Sequence, residues 1–565
     1  MTQSPPDQPE TPSPAGLTVA QFRWLMAGLI LGLFLSSTEQ SVVATALPTI
    51  AGELGGTERL AWVVTAYLLT STIVTPLYGK MSDLYGRRIV YQTSITVFMI
   101  GSAACAIAPT MNTLVAARAL QGLGGGGLMS LAFVIVGDVV SPRDRGRYMG
   151  IFTAVFAVSA VMGPLWGGLL VDTIGWRWIF LSVVPLAAAA LVVTNRGLRL
   201  PFTVRPRPID WLGIALLVVA AAGLILVPLW GGETYPWGSW QIGITAAVGV
   251  IGSAAFLIQE SRAEEPVIPL RLFRDRSVVL VYVMGFGIMV MIVSVSTFLP
   301  LFLQVATGVS ATQSGLEMTP QTIGMSLMAA GGGALVSRTG RYKWSLVLGP
   351  VVALVAVLGL TRIGPTTGAL QLAPILFVLG CGLGMTFPNL TLAVQNAVPV
   401  EDMGIGTSTS NFFRSMGGAF GAAGSGALLT PALSNGLDKR LGPDRVAELG
   451  GASGLVRSPE VVRDLPTDLH DAVVESVADA VVSVFWWGVL IMLIVLACGS
   501  MVSERTLRTT ASISGPSSAG TAEPGGSLPG GTGTAGLGPI VHTENDGEGQ
   551  RRGRNRGGQE HRRQA

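Results

Sequence analysis

Glu39 lies within an apolar run, residues 24 to 48, nine positions before Pro48. At about 1.5 Å per residue, a helix made from that run buries it about 13 Å from its end, where a carboxylate is costly to keep charged. An acid so placed can trade a proton for a cationic or polar solute, or it can be held permanently by an arginine as part of the fold. Arg118, in a second run that begins near residue 113, sits roughly 8 Å deep on the same rise and is the candidate partner. Glu317 and Arg414 are further charges within apolar runs. Glu317 reads as a substrate or proton site or as a solvated residue at a helix start, and Arg414 as a substrate contact or a structural counter-charge.

Whatever holds these charges must be a membrane scaffold. Of 565 residues 49% are hydrophobic and only 12% charged, with a mean hydropathy of +0.56, too apolar for a soluble chain of this size. Runs of about 20 apolar residues span a hydrocarbon core of about 30 Å as helices, and they lack the alternation of a membrane barrel. They fall near residues 24–48, 61–82, 89–109, 113–136, 147–171, 176–194, 210–230, 239–258, 278–304, 313–336, 343–362, 370–394, 405–430 and 475–501. Fourteen is an even number, so both ends return to one side. Eighteen Lys and Arg residues before the tail fall to that side, whereas the short loops of the other hold only Arg59, Arg177 and Arg362. The positive-inside rule then places both termini in the cytoplasm, in a multi-pass protein of the cytoplasmic membrane.

The segment GKMSDLYGRR, Gly79 to Arg88, returns in degenerate form as GALVSRTGRY, Gly333 to Tyr342. Each copy begins about 55 residues after the start of a run, so two helices precede each. The spacing predicts an all-α membrane protein of two six-helix bundles plus two inserted helices. The division is an N-terminus over 1–23, a first bundle over 24–194, a linker with two inserted helices over 195–277, a second bundle over 278–501 with a long outer loop at 431–474, and a tail over 502–565. Both ends are rich in Gly, Pro, Ser, Thr or Arg and are expected to be disordered. Transporters built from two repeated halves bind substrate between the halves near the bilayer midplane and rock one half against the other. In the repeated loop, Gly79 and Gly86 permit close approach and tight turns, and Asp83 can face a helix N-terminus or pair with Arg87 or Arg88. Gly333, Arg338, Gly340 and Arg341 are the matching gate candidates in the second copy, which has Ser337 where the first has Asp83.

GKMSDLYGRR resembles the signature loop of the major facilitator superfamily, with Leu84 where the family's Asp-Arg pair has its arginine. RALQGLGGGG, from Arg118, is similar to its second motif. Gly150, Ser159 and GPLWGG, Gly163 to Gly168, resemble the antiporter motif of drug exporters, with Ser159 replacing a usual glycine. EQSVVATALP, Glu39 to Pro48, resembles the helix 1 motif of fourteen-helix drug:proton antiporters, with Glu39 for the usual Asp. The resemblance implies a major facilitator fold, a proton-transfer role for Arg118, and a working monomer. Physically, Pro164 removes one helix hydrogen bond, while Gly163, Gly167 and Gly168 offer a surface without side chains for bending and close packing.

The function expected is proton-coupled export of lipophilic, cationic drugs or toxic compounds, with protons, a small-molecule substrate and the bilayer as partners. Export of an endogenous metabolite, siderophore or lipid is the alternative within transport, and a non-transporting sensor or scaffold is the alternative outside it. No GxxxxGK[ST] phosphate loop points to an ATP-driven pump, and no nucleophile-plus-histidine arrangement points to an enzyme. Cys105, Cys381 and Cys498 lie in three different runs, and His470, His542 and His561 lie outside them, so neither a metal site nor a cofactor is expected. The net charge of +3 reflects topology, and no nucleic-acid partner is read from it.

Overall fold

The computed structural model describes residues 17–55, 59–198, 208, 210–232, 234–448 and 466–507. The distal parts of both termini, the middle of the outer loop, and Arg199, Arg205 and Arg207 lie outside the described residues. The described residues form fourteen long helices: α1 (Val19–Leu54), α2 (Leu60–Tyr85), α3 (Arg87–Ala106), α4 (Met111–Val139), α5 (Pro142–Thr173), α6 (Arg177–Gly197), α7 (Trp211–Trp230), α8 (Trp240–Arg262), α9 (Arg276–Ala306), α10 (Thr319–Thr339), α11 (Lys343–Leu360), α12 (Ala369–Ala397), α13 (Met403–Leu441) and α14 (Thr467–Met501). A short helix, Ala311–Glu317, precedes α10, and another, Pro443–Glu448, follows α13.

Polar residues start these helices where the apolar runs begin. Thr18 and Gln21 form a reciprocal capping box on α1, Thr110 caps α4, Ser141 caps α5 with Pro142 in its first turn, and Asp275 caps α9. Gly86 separates α2 from α3 with φ of 92°, a conformation open to glycine and strained for other residues.

Among the described residues, eleven helices are long and apolar enough to cross a membrane; α2, α10 and α13 are not among them. Those three carry Lys80 and Asp83, a glycine triplet, and a Gly/Ser/Thr/Asn-rich stretch with Arg414, respectively. Asp83 and Arg414 meet neighbouring helices and Gly333 crosses Gly146 of α5, so these positions are turned into the protein. The outer surface is apolar instead, with Ile89, Leu165, Val250 and Ile251 more than half exposed. Trp211 and Trp240, both 72% exposed, stand at helix starts where amphipathic rings favour the membrane interface.

Two large apolar cores divide along the chain. Leu29, Tyr91, Phe98, Leu131 and Phe152 belong to one, and Met284, Phe302, Leu346, Leu376 and Phe485 to the other. The inserted pair packs on itself where Gly223 meets Gly249, and Ala221 and Ile225 of α7 join Ile73 of α2 and Phe412 of α13 in a small cluster of their own. The helices flanking the outer loop exceed the expected 405–430 and 475–501, so much of the loop placed at 431–474 is helical. Hydropathy marks only the part of a helix in lipid. Beyond it, Arg440 of α13 holds α14 through Glu475 at 3.2 Å and Asp479 at 2.7 Å.

Candidate functional site

Glycines decide how α4 lies. A Cβ at Gly122, Gly125 or Gly126 would strike Thr70, Tyr67 or Ser71 of α2, and one at Gly124 or Gly127 would strike Phe98 or Ser94 of α3. Without side chains there, α4 settles between both neighbours, and Arg118 reaches Glu39 of α1 with Nη1 to Oε1 at 2.8 Å. Both side chains are 1% exposed. Arg118 also donates to the Val63 carbonyl at 3.1 Å and to Gln121 Oε1 at 2.5 Å, and its guanidinium lies 4.4 Å from the Tyr67 ring centroid. Gln121 in turn donates to Ser102, which donates to the Phe180 carbonyl of α6. Glu39 borders a cavity of about 180 Å³ between α1, α5 and α6, walled by Phe34, Thr38, Met162, Trp166 and Leu186.

Two glycines of the helix 5 motif pack on α1, within the first half of the chain. Gly163 faces Ser41 and Gly167 faces Val42 and Thr45, so α1 lies flat against α5. Ser159 accepts a hydrogen bond from Ser37 at 2.7 Å, so the serine that replaces a glycine ties the same two helices together. Pro164 is inside α5 and exposed. Gly168 was expected to share the packing surface, but a Cβ there would meet nothing within 4 Å. The residue after Gly167 is turned about 100° around the helix and leaves the α1 face. Gly150 packs elsewhere, on Ala329 and Ala330 of α10.

The repeated loop forms a latch on the face that carries most of the basic residues. Asp83 accepts from Arg87 and from the Ile405 N–H at 3.0 Å, so its carboxylate sits on the N-terminal turn of α13. Arg87 also donates to Asp138, at the end of α4, at 2.6 Å. Lys80 pairs with Glu265 at 2.9 Å, and Arg271 makes two bonds to Asp402, at 2.8 and 3.0 Å, in the 3-10 turn Val400–Asp402 before α13. The bonds to Asp402 raise the Arg271 pKa. Below the charges, Gly79 fits against Gly404 and Ser408, Ser408 bonds Ser130 at 2.9 Å, and Gln395 donates to the Phe133 carbonyl at 2.9 Å. The second copy contributes its glycine: Gly333 of α10 crosses Gly146 of α5 backbone to backbone.

Other candidates stand apart from this contact. Arg88 donates to Asn195 of α6. Arg338 and Arg341 are exposed, and Gly340 ends α10 with φ of 70°. Ser337 donates to the Gly333 carbonyl. Glu317 ends the short helix before α10, within reach of Gln313 and far along the chain's path from Glu39. Arg414 is 2% exposed in α13, donating to Asn411 and, at 3.4 Å, to Thr391. Asp138, Glu265, Asp402 and Gly146 were not anticipated. Gly146 carried a signal, since it lies four residues before Gly150 on the same helix face; the three acids lie at helix ends and in a linker, where only the packing picks out partners.

The family model described as Major Facilitator Superfamily matches residues 29–422. The chain is 36% identical over 488 residues to "Multidrug transporter protein MdtP" of Bacillus subtilis (strain 168), covering 82% of this chain and 90% of that one. It is 32% identical over 498 residues to "Multidrug resistance protein 3" of the same organism, covering 87% and 97%. Among solved structures, the proton:xylose symporter XylE aligns with a TM-score of 0.56 at 13% identity, covering 87% of this chain and 98% of that one.

Proposed function

Because this chain belongs to the major facilitator superfamily and is a multi-pass transporter rather than an enzyme, we propose that it exports lipophilic, cationic drugs or toxic compounds in exchange for protons. The observation that carries this reading is the Glu39–Arg118 pair, buried to 1% in a membrane protein whose relatives include named multidrug transporters. A buried ion pair is a weak device for stability, because desolvating both charges offsets most of their attraction. It suits a carrier better: a proton on Glu39 releases Arg118 and a cation can take the proton's place. The small cavity beside Glu39, almost wholly apolar except for that acid and two hydroxyls, fits a greasy cation.

In this reading all fourteen long helices span the bilayer as two six-helix halves plus the inserted pair α7–α8, and the monomer is the working unit. The basic face is cytoplasmic by the charge bias. The latch closes it, and a cavity of about 540 Å³ lined by Pro228, Trp237, Phe298, Leu301 and Thr430 lies toward the opposite side. That arrangement supports an outward-facing state, with the halves rocking to open the latch when substrate loads.

Everted vesicles supply the test. A lipophilic cation added to energised vesicles is expected to release protons when the chain is intact and not when it carries Glu39→Gln. Release that survives this change removes Glu39 from the coupling, and equal accumulation of a panel of fluorescent cations in cells with and without the protein defeats the export reading.

A further inference from the structure

We propose that Arg414, with Thr407, Ser410 and Asn411, forms a separate binding site for the carboxylate of a lipophilic anionic compound, loaded when the latch face opens. The proposal rests on the alternating-access reading above, but on none of the residues assigned there to cations.

The four residues recur at the i, i+3, i+4, i+7 spacing that shares one helix face, and none is more than 3% exposed. Arg414 differs from Arg87 and Arg118 in its company. Arg87 and Arg118 each lie on a carboxylate; Arg414 makes no ion pair among the described residues. Its guanidinium lies between two aromatic rings, 4.5 Å from the Phe387 centroid and 5.4 Å from that of Phe133. Its Nε has no hydrogen-bond partner there, and neither do Thr407 Oγ1, Thr409 Oγ1, Ser410 Oγ and Asn411 Nδ2. Buried polar atoms are ordinarily satisfied, so five such atoms within eight residues of one helix mark a place built for something else.

The missing partner can be described chemically. A guanidinium presents a planar fork that matches a carboxylate with two parallel bonds, and an uncompensated cation out of water attracts an anion over a wide range. Asn411 Nδ2 and the hydroxyls add donors beside it, while Phe133 and Phe387 offer flat apolar faces for the remainder of the molecule. Access follows from the halves. Phe133 belongs to α4, and the contacts that hold it over α13 are the Gln395 bond to its carbonyl and the Ser130–Ser408 bond, both between halves. Parting the halves removes Phe133 and opens Arg414 toward the latch, where Asp83 binds Ile405 nine residues nearer the start of α13, about 14 Å away by helix rise. Phe133 is also fifteen residues from Arg118 along α4, about 22 Å, so the site is distinct from the Glu39 pair.

The test uses full-length protein in lipid nanodiscs, equilibrium dialysis, and two probes with the same ring system, 1-pyrenebutyrate and 1-pyrenebutylamine, with empty nanodiscs subtracted. Pyrenebutyrate is expected to bind the wild type, with affinity reduced roughly 10- to 100-fold in Arg414→Gln, less in Arg414→Lys, and with the amine unaffected by either. Asn411→Asp supplies a carboxylate beside Arg414; it is expected to abolish pyrenebutyrate binding and raise the melting temperature. Absent binding to the wild type, equal binding by wild type and Arg414→Gln, or an Asn411→Asp protein that binds as before or melts lower, overturns the proposal, and Asn411→Asp decides alone if Arg414→Gln does not fold. Amine-driven proton release that persists while pyrenebutyrate fails to bind sinks only the Arg414 site. Loss of that release from the intact chain sinks the export reading instead.

Discussion

Arg118 and Glu39 show why a charge deep in a membrane protein is rarely alone. Removing one member leaves the other uncompensated where water cannot reach it, and the penalty exceeds anything the pair contributes by attraction. Arg118→Ala is therefore expected to cost about 3–5 kcal/mol and to lower the melting temperature in detergent sharply, whereas Glu39→Gln, which still offers Arg118 an amide oxygen, should leave the melt far less changed. A thermal melt that Arg118→Ala leaves unchanged would mean that the pair is not a unit. Ser159 is a smaller matter. Its bond from Ser37 is one neutral hydrogen bond, so Ser159→Gly should cost about 1 kcal/mol, and a melt at or above the wild-type temperature would show that the bond holds nothing.

At the scale of elements, the repeat acquires a physical meaning. The first glycine of each copy is a crossing point between halves: Gly79 of α2 against Gly404 and Ser408 of α13, Gly333 of α10 against Gly146 of α5. Of the residues that follow, Asp83 finds a helix N-terminus opposite it, and Ser337 donates to a carbonyl of its own helix. Duplication was legible as spacing, since two runs precede each copy. The asymmetry of the latch was not, since Asp138, Glu265 and Asp402 have no pattern in the chain that ties them to Arg87, Lys80 and Arg271. Asp83→Asn removes the anion from the α13 terminus and from Arg87, an effect of about 1–2 kcal/mol that corresponds to a 5- to 30-fold shift in population. A cysteine at Ser130, in a chain with its native cysteines replaced, should then react with a maleimide correspondingly faster. An unchanged rate would mean that Asp83 does not hold the face shut.

At the scale of the molecule, the three helices too polar to pass as membrane spans all take part in the contact between halves, beside α4, α5 and α12. Polarity there keeps a seam that must part from packing as firmly as a core, and the Ser130–Ser408 bond at 2.9 Å is its clearest tie. Ser130→Cys with Ser408→Cys should form a disulfide under a membrane-permeant oxidant, arrest transport, and regain activity on reduction. Transport that continues with the bond formed would exclude separation of α4 from α13 as a step of the cycle.

What the sequence by itself determined is whatever depends on local composition and order: that the chain lives in a bilayer, where its long apolar segments run, that a basic loop recurs at a matching offset, and that Glu39, Arg118 and Arg414 are charges within apolar runs. These follow because the cost of a polar group in hydrocarbon is set by position along a helix, which counting residues supplies. Which charge meets which was decided only by tertiary structure. Glycines on α4 brought Arg118 to Glu39, the start of α13 took Asp83, and Arg414 was left between two rings without an acid, because helix rotation and crossing depend on packing against partners far away in the chain.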